Sequence, residues 1–368
     1  MTSGVLFGGP TPEHDISILT GLQVLRELAR AESDVQGIYW TKSGSFYSVL
    51  NDVEAEAFLD GVPRGSSELT LRLGEGGGFY ASGSRLSRER RLDLDALILA
   101  THGGPGEDGT LQGALDLAGL AYSGPTLAGA ALGMDKWAFS TIIAQAGLPT
   151  LARELLTPDS PSLSFEGPHI LKPRFGGSSI GIEVVADFAT ARARLGTNPH
   201  LALGCVVEPY REDLTDVQIA IRTFPRLELS AIERPLRRTT GAEILNYRDK
   251  YVGGEGMVAA PRELPAALNG VQREEILRLS GEVAELCMVR GVARLDFLAN
   301  DDELYVNEIN TIPGSLAKYL FVDPPLAFAA LLRDLLAEAR ERPAHRYSAA
   351  GADGLVLRTA GSIAAKLA

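Results

Sequence analysis

The segment spanning residues 294–314, RLDFLANDDELYVNEINTIPG, constrains this chain more than any other part of the sequence. Two runs of alternating apolar residues flank a turn-forming Asn-Asp-Asp cluster, a pattern that predicts an antiparallel β-hairpin. Because side chains alternate between the faces of a strand, Arg294 and Asp296 share one face of the first strand. Glu308 and Asn310 share one face of the second strand. A turn at the central cluster sets Asp296 opposite Glu308.

The polar face of this predicted hairpin carries two carboxylates and one amide (Asp296, Glu308 and Asn310) beside the guanidinium of Arg294. A small number of hard oxygen ligands leaves room for water and phosphate, and suits Mg²⁺ held against a nucleotide. The alternative is a hairpin with a solvated polar face. The Thr-Ile-Pro-Gly sequence that ends the second strand, together with two polar clusters upstream, favours the metal site.

Composition limits the class of protein. A chain of 368 residues with 45% hydrophobic and 22% charged residues predicts an ordinary globular protein of two or three domains. Its net charge of −12 argues against general binding of nucleic acid or anionic membranes. The two cysteines, Cys205 and Cys287, are too few for a disulfide framework and fit a reducing compartment. With no signal-peptide pattern and no apolar run of ~18 residues, we expect a cytoplasmic protein.

Residues 1–125 predict an open α/β domain, because short apolar runs alternate with segments of helical periodicity. The predicted strands are Val5–Phe7, Gln36–Trp40 and Leu94–Ala100, and the predicted helices are Ile16–Ala29 and Thr110–Leu117. Residues 61–91, rich in Gly, Ser and Arg, are predicted to form an exposed excursion.

Two further units and a tail complete the predicted organisation. The unit at 126–208 holds a helix around Met134–Ala146 and the predicted strands His169–Lys172, Ile182–Val185 and Cys205–Glu208. The unit at 209–345 contains the hairpin and a helix from Pro325 to Arg340. The tail at 346–368 has no assignment.

The sequence ILKPRFGGSSIGI predicts a phosphate-binding loop. Lys172 ends a strand, and the following Gly177, Ser178 and Ser179 allow backbone N–H groups and hydroxyls to approach phosphate oxygens. With Lys136 upstream, this is a candidate triphosphate site, although such a sequence also occurs in simple turns. The P-loop pattern GxxxxGK[ST] does not occur in the chain.

Two turns at the carboxyl ends of strands carry further candidates. In LFGGPTPEHDIS, Asp15 is predicted to cap the following helix, and Glu13 to hold a cationic ammonium group. In ATHGGPGEDGTLQG, His102 is a candidate for contact with a carboxylate or phosphate, with a structural histidine as the alternative. Glu107 and Asp108 are interpreted as helix caps.

Two more polar segments could line an active site. The sequence NYRDKYVGGEG predicts a mobile loop from which Lys250 and Tyr251 could reach a substrate. The sequence REDLTD, at 211–216, is predicted to be a solvated turn, or alternatively to offer an acidic side chain to ribose hydroxyls.

Together these motifs resemble the D-alanine–D-alanine ligases of the ATP-grasp superfamily. The matching segments, in chain order, are LFGGPTPEHDIS, THGGPGEDGTLQG, MDK, LKPRFGGSSIGI, NYRDKY, ARLDF and NEINTIPG. The resemblance covers about residues 4–340. It implies three α/β domains, with ATP between the central and C-terminal ones. It also implies a homodimer that joins two D-alanines with ATP and Mg²⁺ for peptidoglycan precursors, releasing ADP and phosphate.

The resemblance implies roles for individual residues in nucleotide binding. The ATP phosphates would contact Lys136 and Lys172 beside the loop residues Gly177, Ser178 and Ser179. Adenine would lie against Glu208 and the backbone near Tyr210 and Arg211. The ribose would meet Glu212 or Asp213, and the irregular spacing leaves this choice open.

The resemblance also implies the metal and catalytic groups. Asp296, Glu308 and Asn310 would bind two Mg²⁺ ions, for which Mn²⁺ could substitute, with Glu308 bridging them. Glu13, linked to Ser178 and Tyr251, would hold the ammonium of the first substrate, and Lys250 would approach the transferred phosphoryl group. Arg294 and the N–H of Gly314 would stabilise a tetrahedral oxyanion.

One segment departs from the family pattern. Lys318, Tyr319 and Leu320 stand where familiar ligases carry a His-Ser-Leu-type triplet that meets the carboxylate of the second substrate. We expect Lys318 to pair with that carboxylate. The departure leaves open a ligase with another second substrate, such as D-lactate or D-serine, although Tyr251 favours an amine. A nucleotide-binding protein without turnover is the alternative from another class.

Overall fold

One seven-stranded sheet, two four-stranded sheets and a two-stranded sheet organise the computed structural model of the described chain. The described residues are 2–31, 34–82, 89–236, 261–344 and 348–367.

The seven-stranded sheet forms the N-terminal unit, in the order β6-β5-β4-β3-β2-β1-β7. Its strands are β1 (Thr2–Gly8), β2 (Val35–Trp40), β3 (Phe46–Val49), β4 (Ser67–Arg72), β5 (Gly78–Ala81), β6 (Arg90–Arg91) and β7 (Leu94–Ala100). β1 pairs in parallel with β2 and β7, and the remaining pairs are antiparallel. The three strands predicted here are confirmed.

The predicted exposed excursion at 61–91 is wrong. This stretch contains β4, β5 and β6, which extend the sheet, and it buries Leu69 and Phe79. Short strands rich in Ser, Gly and Arg show little apolar alternation, so the sequence alone does not reveal them. Here the adjoining strands supply their hydrogen bonds and apolar contacts.

The N-terminal helices are α1 (His14–Ala31) and α2 (Thr110–Leu117), close to their predicted bounds. Because α1 begins at His14, Asp15 lies within its first turn, 3.5 Å from the ammonium of Lys42. The prediction that Asp15 is the N-cap is therefore wrong.

The second sheet has the order β10-β9-β11-β8 and is antiparallel. Its strands are β8 (Glu154–Leu156), β9 (His169–Pro173), β10 (Glu183–Val185) and β11 (Cys205–Pro209), and the nearby helices are α3 (Leu127–Met134), α4 (Lys136–Gln145) and α5 (Phe188–Leu195). The helix predicted around Met134–Ala146 is confirmed as α4, and the preceding helix α3, which ends at Met134, was not predicted. The Asp135 carboxylate accepts hydrogen bonds from the N–H groups of Trp137 and Ala138, and therefore starts a new helix.

The third sheet, in the order β13-β12-β16-β17, contains the predicted hairpin. The strands of this region are β12 (Thr215–Arg222), β13 (Glu228–Leu229), β14 (Arg234–Pro235), β15 (Arg262–Glu263), β16 (Val292–Ala299) and β17 (Leu304–Asn310). β14 and β15 form the separate two-stranded sheet. In the hairpin Asp296 pairs with Glu308 and Arg294 with Asn310, which confirms the predicted register.

The C-terminal helices are α6 (Gly270–Leu286), α7 (Phe328–Glu341), α8 (Leu355–Thr359) and α9 (Ile363–Leu367). α7 packs its leucines into the same apolar core as the N-terminal sheet. Buried Arg290 also donates to the carbonyls of Tyr122 and Gly124, which fixes the third sheet region to the end of the N-terminal unit. None of the helices in the described ranges is long and apolar enough to cross a membrane.

Candidate active site

Two neighbouring openings lie where the three large sheets meet. The central cavity is lined by residues from all three sheet regions, including Glu13, Lys136 and Arg294. The inter-sheet cleft lies between the second and third sheets and is lined by Lys172 among others. Both openings are lined by Glu308, so a molecule in the cleft can meet a molecule in the cavity at this carboxylate.

The polar face of the hairpin is arranged as an electrostatic cluster. The Nε and Nη2 atoms of Arg294 each donate to the Asp296 carboxylate at 2.7 Å, and the Asn310 amide donates to the same group at 3.1 Å. The ammonium of Lys136 lies 3.3 Å from the Glu308 carboxylate. Asp296 and Glu308, the two carboxylates of this polar face, therefore each have a cationic neighbour.

The donor chemistry of this face fits Mg²⁺ that shares its coordination with phosphate. Asp296 and Glu308 are cross-strand partners, and Asn310 adds an amide oxygen. Within the described ranges no group of three or more His, Cys, Asp or Glu side chains could hold a metal ion. Two carboxylates and one amide leave coordination positions for phosphate oxygens and water, as is usual for nucleotide-bound Mg²⁺.

Lys172, at the end of β9, is buried and held by two oxygen acceptors. Its ammonium donates to Glu208 at 2.9 Å and to the side chain of Asn307 at 3.2 Å. Burial lowers the pKa of Lys172, and the nearby Glu208 charge opposes this effect. Burial alone would raise the pKa of Glu208, but the charges of Arg153 and Lys172 outweigh it and lower that pKa. The Glu208 carboxylate is therefore held in its charged form beside the Lys172 side chain.

Glu208, which the resemblance places against adenine, is one of the residues that line the inter-sheet cleft. The residue has no exposed surface, and its carboxylate is bound by Lys172 and, at 2.8 Å, by Arg153. Glu208 thus anchors the lysine of the cleft. Arg153 and Asn307 complete this network and were missed in the sequence, although Asn307 stands next to Glu308 in a segment already singled out.

The glycine-rich loop between β9 and β10 reaches the N-terminal unit. The ammonium of Lys136 donates to the carbonyl of Gly176 at 2.6 Å, and the hydroxyl of Ser178 donates to the Glu13 carboxylate. A Cβ at Gly177 would lie 2.7 Å from Oε2 of Glu13, and one at Gly103 only 2.3 Å away. Glycine at both positions therefore lets the backbone close around Glu13. The structure brings together the predicted residues Glu13, Ser178 and Lys136.

His102 holds the turn that follows β17. Its Nδ1–H donates to the carbonyl of Ile312 at 2.6 Å, and its Nε2 accepts from the Thr20 hydroxyl at 2.8 Å. The Thr20 oxygen in turn accepts from the N–H of Ser315 at 3.1 Å. Burial lowers the pKa of His102 to about 4, so the ring is neutral at pH 7. Because both ring nitrogens have protein partners, the predicted direct contact with a ligand is not supported.

Glu107 supports the same turn from another side. Its carboxylate accepts from the N–H groups of Gly103 and Ile312, both at 2.9 Å. Burial, reinforced by the Glu13 charge, raises the pKa of Glu107 to about 7. The N-cap of α2 is Gly109, and the Asp108 carboxylate just before it accepts from the N–H of Thr110. The interpretation of Glu107 as a helix cap is thus corrected, because this residue joins the N-terminal unit to the third sheet region.

In the segment after Gly314, Lys318 and Leu320 were predicted to contact the second substrate, but neither lines the central cavity. Lys318 lines a separate surface depression, the outer groove, beside Leu19 and Leu22 of α1, and is not part of the central cavity wall. The side chain of Leu320 is fully buried in the apolar core. The structure therefore does not support a substrate contact by the side chain of either residue. Tyr319 lines both the cavity and the groove, as does Arg262, which the sequence did not single out.

The far end of the inter-sheet cleft is lined by Tyr210 and Arg211. Arg211 forms an ion pair of 2.7 Å with Asp213, which also accepts from Asn300 at 2.7 Å. The Arg211 guanidinium holds the pKa of Asp213 well below its usual range. Glu212 is exposed beside this pair, so the choice between the two acids stays open.

The predicted loop residues Lys250 and Tyr251 lie outside the described residues.

Comparison with known families matches both halves of the chain. Residues 2–125 match the family model described as D-ala D-ala ligase N-terminus, and residues 132–336 match the model described as D-ala D-ala ligase C-terminus. The D-alanine–D-alanine ligase of Campylobacter lari is 32% identical over 330 residues, which cover 88% of this chain and 90% of that protein.

Solved structures show the same architecture. The crystal structure of the D-alanine–D-alanine ligase from Helicobacter pylori gives a TM-score of 0.72 at 24% identity, covering 94% of this chain and all of that one. The VanG D-Ala:D-Ser ligase from Enterococcus faecalis gives 0.72 at 21% identity, covering 92% of this chain and 99% of that one. At these identities the likeness shows a shared fold.

Proposed function

Because the chain belongs to the D-alanine–D-alanine ligase family and has its ATP-grasp fold, we propose that it uses ATP to join two D-alanines. The products are D-alanyl-D-alanine, ADP and phosphate. The observation that carries this proposal is the position of Glu308, with Lys136 3.3 Å away, on the shared wall of the cleft and the cavity. A nucleotide in the cleft would present its terminal phosphate there to an amino acid in the cavity.

The inter-sheet cleft is the proposed ATP site. Its phosphates would contact Lys136 and Lys172 and the loop residues Gly177, Ser178 and Ser179. The adenine and ribose would lie toward Tyr210 and Arg211, with Glu212 or Asp213 as the ribose partner. The Lys172–Glu208–Arg153 network supports this proposal, because it fixes the position of a lysine inside the cleft.

The proposed metal ligands are Asp296, Glu308 and Asn310, which would hold two Mg²⁺ ions or, as a substitute, Mn²⁺. The bound ions would neutralise the charge of the transferred phosphoryl group and align it with the attacking carboxylate. Lys136 and Arg294 neutralise the same carboxylates in the present arrangement. We infer that these two cations turn toward substrate oxygens when the site fills.

The central cavity is the proposed amino-acid site. Glu13, oriented by Ser178, would hold the ammonium of the first D-alanine, with Tyr251 and Lys250 as the family-based partners. The carboxylate of this D-alanine attacks the terminal phosphorus of ATP, which releases ADP and leaves an acyl phosphate. Alignment and charge neutralisation are the main requirements of this step.

The second step forms the peptide bond. The amine of the second D-alanine attacks the acyl carbon, and negative charge develops on the carbonyl oxygen of the acyl phosphate. Phosphate then leaves with the C–O bond pair, and the attacking nitrogen gives up one proton to it. Arg294 and the N–H of Gly314 are the proposed donors to that oxygen, where fixed donors contribute most. Thr20, His102 and Glu107 support this role, because they hold the turn that carries Gly314.

The biological setting follows from the reaction. We propose that the dipeptide enters peptidoglycan precursor synthesis, that the enzyme works in the cytoplasm and that it forms a homodimer. The boundaries at residues 125, 208 and 345 are the proposed limits of its three domains.

The test is phosphate release from ATP and Mg²⁺ on addition of D-alanine, with dipeptide identified in the product. Parallel reactions that add D-serine or D-lactate as the second substrate decide the specificity. Phosphate release that does not depend on any D-amino acid would contradict the proposal.

The metal site predicts the effect of Glu308→Gln on this assay. The change keeps the shape of the side chain but removes the charge shared by two cations, so kcat should fall by about 100-fold or more. Asp301→Asn, which removes a carboxylate from the exposed turn of the same hairpin, should leave kcat unchanged. Near-normal turnover of the Glu308 variant at saturating Mg²⁺ would contradict the assignment.

A further inference from the structure

The central cavity has two walls of different character. Glu308 and Gln218 line both the cavity and the inter-sheet cleft, so they mark the wall at which the phosphate arrives. Arg262 and Tyr319 line both the cavity and the outer groove, so they mark a different wall. If ATP enters through the first wall, the wall of Arg262 and Tyr319 is available to an amino acid.

The cavity wall of the described chain carries three cationic side chains: Lys136, Arg294 and Arg262. The first two lie against the hairpin carboxylates, where phosphate and the oxyanion are expected. Arg262 instead lies against Glu233, with Nη1 3.0 Å from Oε1, and both side chains are largely buried. Its guanidinium also stacks over the ring of Tyr319, 4.7 Å from the centroid. An acid and an aromatic face therefore fix the orientation of this arginine.

The chemistry of the second substrate requires a cation at such a place. Its amine must be free to attack, so its carboxylate is the group that distinguishes an amino acid from a simple amine. A guanidinium carries five N–H donors in a planar fork, and it can hold one carboxylate by one edge and a second by another. An ammonium offers no such planar edge.

We propose that Arg262, oriented by Glu233 and Tyr319, binds the carboxylate of the second amino acid. This inference rests on the proposed function. It gives Arg262 the role that the sequence analysis expected for Lys318, which lies in the outer groove. Arg262 thereby sets the specificity of the site for a nucleophile that carries a carboxylate.

A purely structural role for Arg262 makes a different prediction. In that case the arginine only neutralises buried Glu233, and removing both charges together restores function. If Arg262 binds substrate, the double variant Glu233→Gln/Arg262→Met stays defective, because the substrate carboxylate still lacks its partner.

The experiment is steady-state kinetics that resolves the KM values of the two D-alanine sites. Arg262→Met should raise the second KM by about tenfold or more, as expected for loss of a charge-assisted contact, with the first KM and the KM for ATP within about twofold of wild type. Arg234→Met is the matched control, since Arg234 pairs with Glu263 at 3.1 Å in the same two-stranded sheet and does not line the cavity. This control should leave the second KM unchanged.

D-Alaninamide, which lacks the carboxylate, gives a second readout. Wild type should prefer D-alanine to D-alaninamide as the nucleophile, and Arg262→Met should lose most of that preference. Arg262→Lys keeps the buried charge if the methionine variant does not fold, and it should reduce the preference severalfold because a lysine lacks the fork. A preference equal to wild type in Arg262→Lys would overturn the proposal.

Three other results would overturn the assignment of Arg262 while leaving the ligase function intact. These are an unchanged second KM in Arg262→Met, recovery of that KM in the double variant, or a larger rise in Lys318→Met than in Arg262→Met. Failure of the proposed function would instead appear in the wild-type protein, as an absence of phosphate release that depends on D-alanine.

Discussion

The charged residues of the candidate site are already paired with one another. Arg294 forms an ion pair with Asp296, and Lys136 forms one with Glu308. The buried Lys172–Glu208 ion pair lies nearby. Burying such charges without partners would be costly, so their pairing stabilises the site before any substrate arrives. In the proposed reaction, metal ions and phosphate exchange partners with these groups, and little net charge is added to the interior.

His102 predicts a pH dependence of stability. Its pKa of about 4 in the folded protein lies below the 6.5 of an exposed histidine, so the unfolded chain takes up the proton first as the pH falls. The free energy of unfolding is therefore fully retained above pH 6.5 and decreases between 6.5 and 4, by roughly 3 kcal/mol in total. His102→Gln lacks this titration, so its Tm should fall less than that of wild type over this range.

Comparing the pH dependence of Tm in wild type and in His102→Gln separates the contribution of His102 from that of other titrating groups. Glu107 has the opposite sign, because its raised pKa of about 7 increases stability as the pH falls toward 4.5. That contribution is present in both proteins and cancels in the difference. Parallel curves of Tm against pH for wild type and His102→Gln would contradict the account of this residue.

At the scale of elements, the turn after β17 depends on α1. Ser315, Leu316 and Ala317 all have φ of 49°, a left-handed conformation that is unfavourable for residues with side chains. Such a turn persists only where its surroundings hold it, and Thr20 of α1 supplies one of those bonds. The helix therefore helps to position the N–H of Gly314.

Thr20→Val tests this coupling. Valine has the shape of threonine but cannot accept from Ser315 or donate to His102, so the protein should lose about 1–3 kcal/mol of stability. We expect kcat to fall by about tenfold, because Gly314 would no longer be fixed, while the KM for ATP changes little. Thr20→Ser keeps the hydroxyl and should retain most of the activity. If Thr20→Val kept the kcat of wild type, α1 would have no role in positioning the N–H of Gly314.

The C-terminal helices α8 and α9 contribute little to the packed structure. α8 has no buried residue, and Leu355, Val356 and Leu357 are all more than half exposed. The family match ends earlier, at residue 336. We expect a protein truncated after Ala344 to keep the Tm and the phosphate release of the full chain. A drop of several degrees in Tm would show that the tail packs on the rest of the protein.

Local patterns explain which elements could be predicted from the sequence. The hairpin of β16 and β17 was predictable with its register, because alternation and a central turn are both local signals. Asn307 was missed because the ladder is irregular beyond Asp296, so strict alternation assigns it to the wrong face. Arg153 was missed because its partner Glu208 is distant in the chain, and no local pattern signals such a pair.

At the scale of the whole molecule, all three sheet regions are needed to form the candidate site. The N-terminal unit supplies Glu13 and the supports at His102 and Glu107, the second sheet supplies the glycine-rich loop, and the third supplies the hairpin. The bond between Ser178 and Glu13 joins the first two regions at the proposed ammonium site. The central cavity therefore exists only when the three regions are docked together.

In the proposed reaction the first D-alanine is activated as an acyl phosphate. The most direct measurement uses D-alanine labelled with ¹⁸O in both carboxylate oxygens, together with ATP and Mg²⁺, and follows the label by mass spectrometry. One labelled oxygen should appear in the inorganic phosphate and one in the peptide carbonyl for each dipeptide formed. Dipeptide formation that releases phosphate free of ¹⁸O would contradict the account.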